Sequence, residues 1–253
     1  VGVTLVFGIL RFANFAHGEM MGLGCTVTIF FTWLFQSMGI TNSFFPTALF
    51  AMPFAMLITI FIVLAIDQSV FRFYRLNKSR PVIFVVASVG VMFILNGLVR
   101  MLIGTDEIIF RDGQKFLVKA GLFKKMTGLN EGLALKQTQL LTVVLAVVAV
   151  FMLFWFLQRT RTGKAMRAYS DNEDLALLSG ISTERVVMVT WIIASILATL
   201  AGVLYGLDKS FKPIVYFHLL LPIFASAIVG GIGQPVGAIL GGYIVAFTEI
   251  TAT

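Results

Sequence analysis

Charge is scarce in this chain. Asp, Glu, Lys and Arg together make up 12% of its 253 residues, about half the share usual in soluble globular domains. With 58% hydrophobic residues and a mean hydropathy of +0.96, a water-soluble globule is excluded. Cysteine is almost absent: Cys25 stands alone in an apolar stretch, so neither an intrachain disulfide nor a thiol metal cluster can form, and a packing role is expected. His17 and His218 are the only histidines, and without an H-E-x-x-H pattern the ligands of a metalloenzyme are missing. No nucleophile and base set points to an intramembrane enzyme. Period-2 alternation is missing as well, which disfavours a β-barrel. The chain begins inside the apolar run 1–10 without an initiating Met and stops directly after another apolar run, so it reads as a fragment of a longer protein.

Long apolar runs are what the chain has. A bilayer core of roughly 30 Å requires about 20 apolar residues per helix, and a window of about 19 residues picks out 1–10, 19–38, 46–66, 81–103, 138–157, 186–207 and 218–250. The last is too long for one span and is divided at Gly230-Gly231-Ile232-Gly233-Gln234-Pro235, where glycines and proline break a helix. The expected fold is all-α, a polytopic transmembrane helix bundle forming one domain over 1–253. The net charge of +7 does not indicate nucleic acid, because the basic residues lie between apolar runs and not on one soluble face. The loop 67–80 carries Arg72, Arg75, Lys78 and Arg80 against Asp67, and the loop 158–185 carries Arg159, Arg161, Lys164, Arg167 and Arg185. Two spans separate these loops, so parity and the positive-inside rule place both in the cytoplasm and 104–137 outside.

Ser170-Asp171-Asn172-Glu173 has the form of a capping box and predicts a helix start, with Gly180 closing the helix and Ser182 capping the next span. Apolar Ala165, Met166, Tyr169, Ala176 and Leu178 lie among charges there. Two readings stand: a helix that inserts into a groove on a soluble partner, or an amphipathic connector resting in the headgroups. Small residues recur at Ala194, Ala198, Gly202 and Gly206, and again at Gly233, Gly237 and Gly241. Such rows let helices approach closely in lipid, so both segments are expected inside the bundle.

Asn14, His17 and Glu19 lie between two apolar runs, with Gly18 and Gly22 beside them. Polar groups at membrane depth mark pathways; the competing reading is a short interfacial turn in which His17 and Glu19 are solvated. Asn96 and Arg100 are one helical turn apart, and Arg100 is expected to snorkel to the outer interface. No G-x-x-x-x-G-K-[ST] occurs, so any ATP must be bound by another subunit.

Three ordered runs carry a resemblance over essentially the whole chain. They are Asn14-Phe15-Ala16-His17-Gly18-Glu19-Met20; Arg161-Thr162-Gly163-Lys164-Ala165-Met166-Arg167-Ala168 followed by Asn172, Ala176, Gly180 and Ile181; and Gly230-Gly231-Ile232-Gly233 followed by Gly237-Ala238 and Gly241-Gly242. Together they resemble the branched-chain amino acid ABC transporter permeases of LivH type. The resemblance implies a multi-pass subunit of the bacterial inner membrane that pairs with a second, LivM-like permease, takes substrate from a periplasmic binding protein, docks two cytoplasmic ATPases and itself binds no cofactor. It implies that Gly163 to Ile181, with Lys164, Ala165, Met166, Arg167, Ala168, Tyr169, Asn172, Ala176, Leu178 and Gly180, transmit ATPase closure to the membrane helices. It also puts Asn14, His17, Gly18, Glu19, Gly230, Gly231 and Gly233 beside the translocation path. The family usually continues its glycine run as Gly-Ser-Ile-Pro-Gly, whereas Gln234-Pro235-Val236 shifts the proline by one place. Relatives that move urea or short amides share these motifs, and an ATP-independent carrier is a further alternative.

Overall fold

A computed structural model describes residues 1–40, 46–110, 116–118 and 135–252. In chain order the helices are α1 Gly2–Leu10, α2 His17–Ser37, α3 Thr47–Leu76, α4 Pro81–Ile103, α5 Gln137–Arg159, α6 Arg161–Asp171, α7 Glu173–Leu178, α8 Thr183–Asp208, α9 Pro213–His218, α10 Leu220–Val229 and α11 Pro235–Ala252. Two short strands, β1 Phe116–Val118 and β2 Leu135–Lys136, pair antiparallel. The rest of the expected outer loop 104–137 lies largely outside the described residues. Among the described residues six helices are long and apolar enough to cross a membrane: α2, α3, α4, α5, α8 and α11. This is the expected polytopic bundle.

Two boundaries differ from expectation. The segment 67–80 is not a loop: α3 continues through a π-turn, Asp67–Phe71, to Leu76, because Asp67 finds buried partners and does not need water. The apolar run expected over 218–250 starts earlier, at Pro213, and breaks at the glycine cluster as expected, with Gly231 at φ 91° and Gly233 at φ 84°. Pro235 then opens α11, the one helix position where its missing N–H costs nothing.

Helix α2 is the centre of the bundle and is buried around most of its circumference, against α3, α4, α8 and α9. Its backbone approaches that of α8 closely. A Cβ on Gly202 would collide with the backbone carbonyl of Met21, and one on Gly24 would lie 2.6 Å from the Thr199 hydroxyl. The row Ala194, Ala198, Gly202 and Gly206 is buried against this contact, and Cys25 packs beside Gly206. Backbone approach at this range gives dispersion contacts that lipid tails cannot supply.

The second small-residue row behaves differently. Gly237 packs against the Gly230 carbonyl and Gly241 against the Ser226 carbonyl, which zips α10 to α11. Only Ala238 and Gly241 of α11 are buried, so the expectation that this segment lies inside the bundle is corrected. A row of small residues secures one neighbour, and α11 has its other faces open within this chain.

The two ends of the bundle are chemically distinct. At one end the last turns of α3 and the first turn of α8 meet through an Arg72–Glu184 ion pair of 3.0 Å. This end carries both basic segments, as parity required. At the opposite end Ile108 bridges Phe211, and the Glu107 carboxylate accepts from Lys212 at 2.6 Å and from Ser210 at 2.6 Å. The Lys212 hydrogen bond first, then that from Ser210, hold the Glu107 carboxyl below its ordinary range. That link is therefore intact at neutral pH and is lost only as acid protonates the carboxylate.

Gly202→Val should cost about 3 kcal/mol or more, because the added atoms meet backbone and cannot be relieved by a rotamer change. Gly90→Ala, in a position with no neighbour within 4 Å, should be neutral or stabilising by about 0.5–1 kcal/mol. Thermal unfolding of the two purified variants in detergent checks this; equal melting temperatures would refute the close α2–α8 contact.

Candidate functional site

The chain is broken inside the bundle between α1 and α2. Helix α1 ends at Arg11, a left-handed residue (φ 57°) whose N–H reaches the Phe7 carbonyl. Residues 12–16 are non-helical, with a bend at Phe12 and a turn at Phe15–Ala16, and Phe12, Asn14 and Ala16 are buried. Non-helical backbone at such a place needs its polar groups satisfied by protein. Two side chains do this: the Ser88 hydroxyl of α4 accepts from the Phe15 N–H at 3.1 Å, and the Asn14 side-chain Oδ1 accepts from the Ala16 N–H at 3.1 Å. Helix α2 can therefore start at His17 within the bundle.

His17 and Glu19 are 5% and 1% exposed, which overturns the reading in which both are solvated in an interfacial turn. His17 lies against Gly2 at the start of α1, while Gly18 packs on the Tyr216 carbonyl. Glu19 faces α4, where Asn96, two-thirds of the way along that helix, donates to it at 2.9 Å. The second Glu19 carboxylate oxygen and the His17 Nδ1 have no partner. Asn96 was visible in the sequence only as a neighbour of exposed Arg100; its pairing with Glu19 spans 77 residues and leaves no local signal.

At the basic end, α6 and α7 form an elbow. The capping box is corrected: Ser170 is inside α6, and its hydroxyl donates to the Gly8 carbonyl at 3.1 Å. Asn172 is the cap instead, accepting from the Leu175 N–H at 3.0 Å, and Thr160 caps α6 through the Gly163 N–H at 2.9 Å. Glu173 accepts from the Tyr169 hydroxyl at 2.5 Å. Burial first, and then this hydrogen bond, push the Tyr169 phenol up in pKa, so it remains a donor. Ser170 lost as a cap because α6 already extends through it.

The elbow sorts its side chains by face. Gly163, Met166, Tyr169 and Ala176 are buried against the bundle, with Ile181 packed beside them. Lys164, Arg167, Ala168, Asn172 and Gly180 are exposed and Ala165 is half-buried. The apolar residues that face outward are Leu175, Leu177 and Leu178, the last 85% exposed. Gly180, at φ 78°, turns the chain from α7 into α8, as expected. Arg11 also donates to the Ser170 carbonyl, so α6 is tied to both ends of the last turn of α1.

Beneath the elbow lies a cluster that sequence reasoning did not single out. Asp67 accepts from Arg75 through both oxygens, at 2.8 and 3.1 Å, and from the Trp191 indole N–H at 2.8 Å. Trp191 stacks on Phe71 at 5.3 Å, Phe71 meets Phe12 at 5.4 Å, and Phe12 meets Phe84 at 5.2 Å. One acid thus joins α3 to α8, and one aromatic column joins these to the broken segment and α4. Asp67 read as the lone acid of a basic loop; the π-turn that aims it inward could not be inferred from spacing.

The glycine turn at 230–235 completes the arrangement. Gly230 packs on Gly237, Gly231 supplies the turn, and Gly233 abuts Gly8 of α1. A cavity of about 610 Å³ opens between α1, the end of α5, α6 and this turn. Two of the three runs singled out in the sequence, the elbow and the glycine turn, therefore meet at α1, whose other end abuts His17 of the first run. Among the described residues no cluster of three His, Cys, Asp or Glu side chains could hold a metal ion.

A bundle of apolar helices with a broken helix at its centre and an external elbow tied to it defines a multi-pass membrane permease. The chain belongs to the family described as the branched-chain amino acid transport system permease component, which matches residues 1–253. It is 29% identical over 256 residues to the high-affinity branched-chain amino acid transport permease LivH of Salmonella typhimurium, covering 98% of this chain and 79% of that protein. It is 28% identical over 252 residues to BraD of Pseudomonas aeruginosa, with the same coverage. A fructose import permease, FruG of Bifidobacterium longum, is 27% identical over 166 residues, 63% of this chain and 48% of that protein. No solved structure matches. A permease component works with the other components of its transport system, and as a member of this family the chain is a multi-pass protein of the inner membrane.

Asp67→Ala should destabilise the bundle by about 3 kcal/mol, since Arg75 and the Trp191 N–H both lose their acceptor in a largely dry setting. Asp67→Asn, which keeps an acceptor for Trp191, should lose roughly half as much. Thermal melts read by tryptophan fluorescence decide it; an Asp67→Ala protein as stable as the parent would remove the clamp.

Proposed function

We propose that this chain is one permease half of an ATP-driven importer for branched-chain amino acids, and that α6 and α7 are its mechanical link to the ATPases. The observation that carries the reading is the elbow. Leu175, Leu177 and Leu178 project beyond the spans at the end richest in basic residues, the end the positive-inside rule assigns to the cytoplasm. A greasy ridge there, held from behind by Met166, Tyr169 and Ala176, suits a groove on a soluble subunit. The second permease is of LivM type, the substrate arrives from a periplasmic binding protein, and the ATP is bound and hydrolysed by the two ATPases, since this chain contains no phosphate-cradling loop.

The coupling runs as follows. Approach of the ATPases displaces α7 and α6. Ser170 and Arg11 carry that displacement into α1 through the Gly8 and Ser170 carbonyls. Helix α1 bears on His17 at the start of α2, so Asn14, His17, Gly18 and Glu19 shift relative to α4 and the path between the two permeases opens to the other side. Gly230, Gly231 and Gly233 act as the hinge that lets α10 and α11 follow. A second reading, a sugar substrate, is favoured by the likeness to the fructose permease.

The assembled importer in proteoliposomes, loaded with its binding protein, should accumulate leucine, isoleucine or valine on addition of ATP. Uptake of fructose alone, or of urea alone, would discard the substrate assignment. Leu178→Asp and Leu175→Asp should each reduce ATPase co-purification about tenfold or more while the chain remains in the membrane, on the scale of a lost interface anchor. Undiminished ATPase retention in both would remove the ridge as the docking element.

A further inference from the structure

The cavity beside α6 differs from the docking ridge in both chemistry and position. Its walls are mainly apolar: Leu5 and Ile9 from α1, Phe154 and Leu157 from α5, and Val236 from the start of α11. Its rim is cationic. Lys164 and Arg167, one helical turn apart on α6, both line it and both are exposed, while Asp171 is the one acidic residue in its lining. It lies where the apolar span α5 gives way to Gln158 and Arg159, which is the level of the headgroups. The outer flank of α5 continues from it with exposed Phe151 and Trp155, an apolar strip on which acyl chains can lie, with Trp155 at interfacial depth.

We propose that this cavity binds an anionic phospholipid of the cytoplasmic leaflet, with the phosphate held at its rim by Lys164 and Arg167, the upper part of an acyl chain against its apolar walls and the chains continuing along α5. Basic pockets between spans on the cytoplasmic side have the charge and depth to take such headgroups. The apolar wall distinguishes the lipid from a free phosphate ion, which would gain nothing from Leu5, Ile9 or Leu157. The two cations are thereby separated from the leucine ridge: α7 contacts the ATPase, and α6 sits on lipid. Because α6 is bonded to α1 through Ser170 and Arg11, a bound headgroup steadies the joint between the elbow and the broken helix. The proposal rests on placing the basic end at the cytoplasmic leaflet and is independent of the transported substrate.

The test uses the assembled importer in nanodiscs containing a trace of photoactivatable phosphatidylglycerol, or of the matching phosphatidylcholine analogue. The phosphatidylglycerol probe should label the 154–171 and 233–236 segments, and unlabelled phosphatidylglycerol should compete where phosphatidylcholine does not. Lys164→Gln and Arg167→Gln should each lower labelling about fivefold, the loss expected from one cation at a charged surface, and together bring it to the phosphatidylcholine level. Lys164→Arg should retain labelling, and Arg185→Gln, exposed but outside the cavity lining, should leave it unchanged. Four outcomes would overturn the proposal: equal labelling by the two probes, labelling indifferent to the double substitution, full competition by inorganic phosphate at millimolar concentration, or quantitative crosslinking of Gln158→Cys to the second permease, which would mean that protein fills the cavity. ATPase co-purification measured on the same samples separates failure of the lipid site from failure of the docking ridge.

Discussion

The distance between α2 and α8 governs the rest of the structure. Gly202 faces the Met21 carbonyl and Gly24 faces Thr199, so two helix backbones touch where lipid would otherwise compete for the same surfaces. In a bilayer there is no hydrophobic gain from bringing two apolar helices together, and close dispersion contact takes its place. Other features depend on that spacing. Tyr216 reaches the Gly202 carbonyl at 2.8 Å, Gly18 can lie on the Tyr216 backbone, and Trp191 on α8 comes within hydrogen-bonding range of Asp67 on α3.

A broken helix inside such a bundle is a liability unless its peptide groups are satisfied, and here the solution is specific. Asn14 folds back on its own backbone, Ser88 reaches in from α4, and Phe12 fills the space against Phe71 and Phe84. Helix α1 is short and almost wholly buried, packed chiefly against α8. Its last turn is bonded to α6 and abutted by Gly233, and its other end abuts His17. These contacts form a continuous chain from the elbow to the interior, beside the α3–α8 pair that Asp67 joins.

Several elements were legible before any coordinates. The apolar runs at 19–38, 81–103 and 138–157 became spans within a few residues of their expected ends, because span length is set by bilayer thickness. The break at Gly230 to Pro235 and the closing turn at Gly180 were equally readable, since those residue types adopt backbone geometries that others avoid. The Ser170 capping box fails for a physical reason: the Ser-x-x-Glu spacing is met although Ser170 is already inside α6 and Glu173 opens α7, and in the elbow Thr160 and Asn172 carry the caps. The 67–80 segment departs from the expected loop because its charge does not require solvent: Asp67 and Arg75 neutralise one another in the protein.

By itself the sequence determined the class of environment, the number and length of the apolar helices, the places where the chain must turn, and three motifs with a family likeness. Those are properties of composition and local backbone chemistry. Only the tertiary structure decided which face of each motif is used: that Met166 and Tyr169 turn inward while Leu178 turns outward, that Glu19 meets Asn96, and that Asp67 holds Trp191. Such choices depend on which helices approach within contact distance, and that depends on side chains far apart in the chain that no local pattern records.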